Sequence, residues 1–376
     1  MTKLGFGMMR LPLKDPDDKT SIDFDLLDRM VDRYLGSGND YFDTAYMYHG
    51  GTSESALRRS VVERHPRDSF RIATKMPLMS LKKEGNQERI FEEQLANCGV
   101  DYFDSYLLHN VCGEFIDTVE RFGTFDFLRS KRKEGRIRRL GFSFHDQADL
   151  LDRVLTENPD MDFVQLQVNY IDWDDPSIQS KECCEVARRH GVPIVVMEPV
   201  KGGLLADVPE DVRRMYSEVE PSFSPATWAI RFAASVDGVE TVLSGMSDMA
   251  QLEENITCLE GFTGFDDVHM DAMERAKASI RSSVAVPCTA CRYCMKSCPN
   301  DIPIADYISL YNAEKANPKE GFSLQALYYG NISRNHGRAS DCVGCEECER
   351  NCPQHLRISG IMGDVAGLFE NRGRKD

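Results

Sequence analysis

Eight of the thirteen cysteines fall in two runs of identical spacing. Cys288, Cys291, Cys294 and Cys298 run up to Pro299, and Cys342, Cys345, Cys348 and Cys352 run up to Pro353. Three thiolates at such short intervals can wrap one face of an iron–sulfur cube, and a fourth reaches beyond it. Zinc sites usually set their cysteine pairs apart by longer gaps, so two complete copies favour iron–sulfur chemistry. The other five cysteines, Cys98, Cys112, Cys183, Cys184 and Cys258, are scattered among helix-like segments and read as buried small apolar residues.

A second constellation lies in the first third of the chain. Asp43 closes the run Tyr41-Phe42-Asp43, Tyr48 follows five positions later, and Lys75 and His109 each end a later apolar run. A carbonyl that accepts hydride becomes an alkoxide and needs a proton in the same event. Tyrosine can supply it. A neighbouring ammonium is expected to lower the ordinary phenol pKa of about 10, and a carboxylate would keep that ammonium charged and fixed. His109 can orient the carbonyl oxygen or share the proton. Singly, Lys75 with Asp43 is an ordinary ion pair and His109 an ordinary core histidine, so the chemistry depends on the four meeting.

Something must bring them together. Short apolar runs, expected to be strands, occur at Lys3–Met8, Asp40–Asp43, Phe70–Lys75, Tyr102–His109, Ile137–Ser143, Phe163–Gln167, Pro193–Met197 and Val239–Ser244. Amphipathic stretches, expected to be helices, alternate with them: Phe24–Gly36, Ser53–His65, Gln87–Asn97, Thr118–Glu134, Asp146–Thr156, Ser177–His190, Pro225–Val236 and Met249–Leu259. Eight strands alternating with eight helices imply parallel pairing, and the count selects an α/β fold of the closed (β/α)8 TIM-barrel type. The strands end on Asp43, Lys75, His109, Ser143, Gln167, Glu198 with Pro199, and Gly245 with Ser247. That is the C-terminal mouth, where barrel enzymes keep their chemistry. The connections His109–Thr118 and Pro199–Pro225 are long enough to carry substrate recognition.

A further helix is expected from about Phe265 to Arg281, with a boundary near Ser282–Pro287. This divides the chain into a barrel, 1–282, and a small, mostly helical ferredoxin-like domain, 283–376. Ile302–Asn312 and Ser323–Asn331 are apolar at helical spacing. Tyr307, Tyr311, Tyr328 and Tyr329 are expected to pack around the clusters.

Phe42-Asp43-Thr44-Ala45 with Tyr48, Ala73-Thr74-Lys75 and Leu107-Leu108-His109 resemble, in order and spacing, the Asp-Tyr-Lys-His tetrad of the aldo-keto reductases. The resemblance covers roughly Lys3–Leu259. It implies a nicotinamide cofactor across the barrel mouth and hydride transfer to a small carbonyl, or from an alcohol. By the same resemblance, Ser143 and Gln167 match the positions that hold the carboxamide. Pro199 to Leu204, with Gly202 and Gly203, match the loop along the pyrophosphate, and Glu254 and Asn255 match the pair near the adenine. This chain departs from the pattern at Phe144, where many relatives carry Asn, followed by His145. Met197 stands where an aromatic ring often stacks on the nicotinamide. Gln251 replaces the Arg that commonly faces the 2′-phosphate, and Gly245-Met246-Ser247 lacks the usual basic residue. These departures leave NADP and NAD both open. The C-terminal segment resembles the dicluster ferredoxins. That implies two [4Fe–4S] centres, one on Cys288, Cys291, Cys294 and Cys352, the other on Cys342, Cys345, Cys348 and Cys298. The whole chain resembles bacterial aldo-keto reductase-like oxidoreductases that carry ferredoxin domains.

Composition narrows the remaining classes. A formal net charge of −16 argues against nucleic-acid binding, which needs clustered Lys and Arg. No apolar run reaches the roughly 18 residues of a membrane helix, and Met1–Leu13 does not resemble a secretory leader. Cysteines so distributed fit a reducing cytosol. One difficulty comes from the cofactors themselves. Nicotinamide passes two electrons as hydride and each cluster carries one, so a direct wire lacks a converter. Three arrangements follow: a carbonyl reductase whose clusters are structural, an enzyme with a flavin or other converter serving an external ferredoxin or similar redox protein, or a nicotinamide-binding electron carrier. The sequence leaves the substrate and oligomeric state open.

Overall fold

The computed structural model describes residues 3–282, 285–286, 288, 292, 294–316, 318, 321–352 and 355–371. Cys291, Pro287, Pro353 and the basic stretch Arg372–Lys375 lie outside them.

Eight parallel strands close into a barrel in chain order, β1 to β8, with β8 pairing back to β1. The elements are β1 (Leu4–Gly7), α1 (Phe24–Gly36), β2 (Tyr41–Asp43), α2 (Ser53–Leu57), β3 (Arg71–Pro77), α3 (Asn86–Cys98), β4 (Phe103–Val111), α4 (Ile116–Phe122), α5 (Thr124–Lys133), β5 (Ile137–Phe144), α6 (Ala148–Glu157) and β6 (Phe163–Gln167). They continue as α7 (Ser180–Arg189), β7 (Ile194–Met197), α8 (Glu210–Val219), α9 (Pro225–Ser235), β8 (Val239–Gly245), α10 (Met249–Cys258) and α11 (Asp267–Ser282). Parallel strands are covered on both faces, which is why these segments read as near-continuous apolar runs rather than alternating ones.

The barrel interior shows how the strands fit. Tyr41, Ala73, Leu107, Phe163, Val195 and Leu243, one each from six strands, form a small buried cluster of their own. On the other two strands, Gly5 and Gly141 leave room for it. A Cβ on Gly141 would stand 2.7 Å from both the ring and the carbonyl oxygen of Phe163. Part of that obstacle is backbone, so it cannot rotate away. Gly141→Ala is therefore expected to destabilise the protein by about 3 kcal/mol, read as a lower denaturant midpoint at unchanged slope.

Expected and observed elements differ where local chemistry interrupts a pattern. The helix expected over Thr118–Glu134 is two, α4 and α5, split by Gly123 at φ 55°. The stretch after α2 continues as a wide π turn over Arg58–Val62. The long connection after Pro199 contains α8, whose Val212 and Tyr216 are buried one turn apart.

The C-terminal region has its own core. α12 (Ile304–Ala316), α13 (Leu324–Ile332), the short α14 (Glu347–Arg350) and α15 (Ile358–Phe369) pack around Tyr307, Tyr328, Tyr329 and Met362, with Cys294, Cys348 and Cys352 in the same cluster. Tyr307 lies 4.5 Å from Tyr329, which stacks on Phe369. Ile178, from the barrel's β6–α7 connection, belongs to this second core. Among the described residues no helix is long and apolar enough to cross a membrane.

Candidate active site and cluster-binding cysteines

Asp43 ends β2, Lys75 lies in β3 and His109 near the end of β4, so the barrel carries all three to one rim. Tyr48 sits on the loop after β2. That loop turns through left-handed backbone at His49, Gly50 and Gly51. The His49 ring clamps it: Nε2 accepts from the Leu11 amide at 3.1 Å, and Nδ1 donates to the Lys19 carbonyl at 2.8 Å. The loop is thus tied to the β1–α1 connection.

The Lys75 side chain is 1% exposed. Its Nζ donates to Asp43 Oδ1 at 2.5 Å and to the Thr44 carbonyl at 2.8 Å. Gln165 Nε2 donates to the other Asp43 oxygen at 3.2 Å. Lys75 Nζ stands 5.0 Å from the centre of the Tyr48 ring, and that ring meets His109 edge-on with centroids 6.0 Å apart. Burial opposes the charge on Lys75, but Asp43 and then Tyr48 outweigh it and hold its pKa above the ordinary value. Burial pushes the Tyr48 phenol up, and Lys75 pulls it back without cancelling the rise. The lowered phenol pKa expected from the sequence is therefore corrected: desolvation wins. Burial, then the Lys75 charge, then His145 hold His109 well below the usual imidazole value, so it is neutral.

Behind Lys75 lies a support that sequence reasoning missed. Buried Glu54, in α2, accepts from Thr74 Oγ1 at 2.7 Å and Gln94 Nε2 at 2.6 Å. The same Gln94 nitrogen reaches the Lys75 carbonyl at 3.1 Å. No local spacing in the sequence marks it.

On the other side of the rim, Ser143 Oγ accepts from the Asn110 amide at 2.8 Å. Gln167 Nε2 donates to Asp172 Oδ2 at 2.7 Å, while its Oε1 is buried with no donor among the described residues. Asp172 also receives Asn169 Nδ2 at 2.7 Å and pairs with Lys201, a second buried ion pair at the mouth. Glu198, Lys201, Gly202 and Gly203 all adopt left-handed backbone, so the chain leaving β7 turns sharply past Met197 and Pro199. Phe144 points into the helix-facing core beside Phe142. Strand alternation turns Ser143 to the opposite face, and His145 stands one residue past the end of β5. Ser247 and Gln251 are exposed and bond to each other, Ser247 N to Gln251 Oε1 at 2.9 Å. Glu254 accepts from Ser224 and Thr227, and Asn255 Nδ2 donates to Ser244 Oγ at 2.8 Å. Those two side chains are engaged within the protein.

Cys298, Cys342, Cys345 and Cys348 line one cavity, together with Ile302, Ile304, Ile358 and Met362. The fold thus brings the last cysteine of the first run to the first three of the second. Cys288 packs against the core that contains Cys294 and Cys352. Among the described residues, no three His, Cys, Asp or Glu side chains converge as a single-ion site. Four thiols around an apolar-walled void suit a cube with iron at its corners.

α13 lies on the barrel mouth. Asn331 Nδ2 donates to the His145 carbonyl at 3.0 Å, and Tyr328 meets the His145 ring edge-on at 6.3 Å. Just beyond α13, Arg334 donates to the Gly113 carbonyl. From α12, Ser309 bonds Asp175 of the β6–α7 connection.

The structure is thus a closed parallel barrel with ionisable side chains gathered on its C-terminal rim and a cysteine-lined appendage. Residues 3–277 match the Aldo/keto reductase family and residues 287–356 the 4Fe-4S dicluster domain. The chain belongs to the aldo/keto reductase family. An aldo-keto reductase of Mycobacterium avium is 27% identical over 276 residues, covering 73% of this chain and 85% of the relative. L-galactose dehydrogenase of Arabidopsis thaliana is 23% identical over 251 residues, 62% of this chain and 77% of that protein. Among solved structures, an aldo-keto reductase of Bacillus halodurans in its holo form aligns with a TM-score of 0.56 at 24% identity, covering 73% of this chain and 91% of that one. One from Klebsiella pneumoniae in complex with NADPH aligns at 0.56 and 18% identity, covering 73% and 90%. At these identities the structural likeness speaks to the fold.

Proposed function

We propose that this protein interconverts a small carbonyl compound and its alcohol at the barrel mouth, with Tyr48 as the acid–base group. The observation that carries this reading is the Lys75 ammonium, bonded to Asp43 and 5.0 Å from the Tyr48 ring. A bound nicotinamide supplies or accepts the hydride. The Tyr48 hydroxyl gives its proton to the oxygen that becomes the alcohol. Lys75, kept charged by Asp43, stabilises the phenolate left behind. Neutral His109 orients the carbonyl by a hydrogen bond. Under anaerobic conditions, small aldehydes should speed oxidation of the reduced nicotinamide; no acceleration across a broad aldehyde panel would sink the reading.

Ser143 and Gln167 are assigned to the carboxamide. The unpaired Gln167 Oε1 is an acceptor in need of a donor, which a carboxamide N–H provides. Met197, Pro199 and Gly203 are assigned to the ring and pyrophosphate, and Ser247, Gln251, Glu254 and Asn255 to the adenosine end. The cofactor is NADP in this reading, and Arg10 supports it. The exposed Arg10 lays its stem across Gly245, where a Cβ would be 3.0 Å from Arg10 Cβ, and its carbonyl accepts from Ser247 Oγ at 3.0 Å. It puts a guanidinium beside the segment that lacks the usual basic residue. Arg10→Ala is expected to raise KM for NADPH about tenfold while that for NADH changes little, measured by steady-state kinetics with both cofactors.

The two domains in this reading are 1–282 and 283–376. The second holds two [4Fe–4S] clusters, one on Cys288, Cys291, Cys294 and Cys352, the other on Cys342, Cys345, Cys348 and Cys298. The clusters hold the appended domain against the mouth. A second reading rests on Cys345, which is exposed while Cys294 and Cys352 are buried. One cluster would then face solvent, open to an external one-electron carrier, with a flavin as converter. The absorption spectrum of protein purified without oxygen separates the two. An iron–sulfur band alone favours the first, and an added flavin peak favours the second.

A further inference from the structure

His145 has no part in the tetrad, yet the structure fixes it with care. It follows Ser143 by two and lies one residue past the end of β5, at the mouth. The appended domain then holds it from outside, through Asn331 Nδ2 on its carbonyl and the Tyr328 ring on its imidazole. Among the described residues, four enclosed polar atoms in this part of the rim have no partner: Nδ1 of His109, Nδ1 of His145, Oδ1 of Asn110 and Oδ1 of Asn331. Buried polar groups are nearly always paired, so unpaired ones gathered at one rim call for an explanation.

The two imidazoles share one electrostatic setting. Burial, then the Lys75 charge, push His145 down to about 4, and the same two causes keep His109 neutral. A neutral imidazole has one proton to place. An enclosed N–H without an acceptor is costlier than an enclosed lone pair, so the proton of each ring goes to Nε2 and Nδ1 stays bare. Neither Nε2 makes a protein hydrogen bond among the described residues. The rim therefore offers two uncharged N–H donors, one more than a simple carbonyl oxygen needs.

We propose that His145 binds the substrate beside His109, and that the substrate carries a second oxygen, a hydroxyl or carbonyl, next to the carbonyl that reacts. This rests on the carbonyl chemistry proposed above. A plain aldehyde leaves the His145 donor desolvated and unmatched, whereas a neighbouring hydroxyl satisfies it. His145 is thereby a specificity-determining residue, and Asn331 and Tyr328 position it from the iron–sulfur domain.

The test uses the full-length, cluster-loaded protein with NADPH and a matched pair, glycolaldehyde and acetaldehyde. The wild type should show kcat/KM about tenfold or more in favour of glycolaldehyde. In His145→Leu that ratio should collapse toward one, and His145→Gln, which keeps a donor, should restore most of it. A wild-type ratio near one overturns the proposal. So does an unchanged ratio in a His145→Leu protein that retains its iron–sulfur absorbance, or a change confined to KM for NADPH. If His145→Leu loses that absorbance, Asn331→Ala is read by the same ratio, since it removes only the bond to the residue 145 carbonyl. Turnover of neither aldehyde, or acetaldehyde reduction that survives Tyr48→Phe, would overturn the underlying carbonyl chemistry instead.

Discussion

Tyr48→Phe should lower kcat for carbonyl reduction by about a thousandfold, within the range that positioned general acids contribute. The ring and its edge contact with His109 remain, so the fold and iron content should match the wild type; only the transferable proton is lost. The surroundings of that phenol also dictate how the rate depends on pH. Burial raises its pKa, and Lys75 offsets part of the rise. Reduction needs the protonated phenol, so its rate should stay level through neutrality and fall only on the alkaline side of the ordinary tyrosine value. Oxidation of the alcohol needs the phenolate and should climb over the same alkaline range. Lys75→Met removes the downward pull and should move both limbs further alkaline. Profiles of kcat/KM in both directions would show this. A limb below neutrality, or one that ignores Lys75, would remove Tyr48 from the acid role.

The second large effect concerns how the cysteines are shared. Cys298 lines a cavity with Cys342, Cys345 and Cys348 from the other run. If it completes that cluster, Cys298→Ala and Cys348→Ala strike the same centre. Iron should fall from about eight atoms per chain to about four in either single variant, and to about four again in the double. Were each run to hold its own cluster, the double variant would lose nearly all its iron. Iron analysis with electron paramagnetic resonance of the reduced proteins decides between these outcomes. Because the same core carries Tyr328, cluster loss should also slacken α13 over the mouth, and kcat/KM should drop with it.

Much of this architecture was readable from residue order. Every expected strand lies within two residues of its observed limits, because a strand buried on both faces leaves an apolar run that polar rim residues cut short. The tetrad was visible because Asp43, Lys75 and His109 each end such a run and Tyr48 follows the first of them by five positions. α8 stayed hidden, since its buried face shows only Val212 and Tyr216 among charged neighbours. α15 was masked by Gly360, Gly363 and Gly367, which argue against a helix until packing outweighs their cost. Of the site, Glu54, the Lys201–Asp172 pair and the role of His145 were illegible. Each depends on which segments meet across the barrel, and local spacing does not record that. The direction of the Tyr48 shift was misjudged for a related reason: a sequence lists the neighbouring charge and leaves out the depth at which the phenol lies.

Two of the bonds that seat the appended domain end on main-chain oxygens, those of His145 and Gly113. A carbonyl of the backbone is present whatever side chain its residue carries. Substitutions at these positions can therefore alter what the mouth recognises without undoing the clasp that closes it. The cap and the specificity it frames are free to evolve at different speeds, so related chains with the same appendage should differ in preferred substrate sooner than in how their halves are joined.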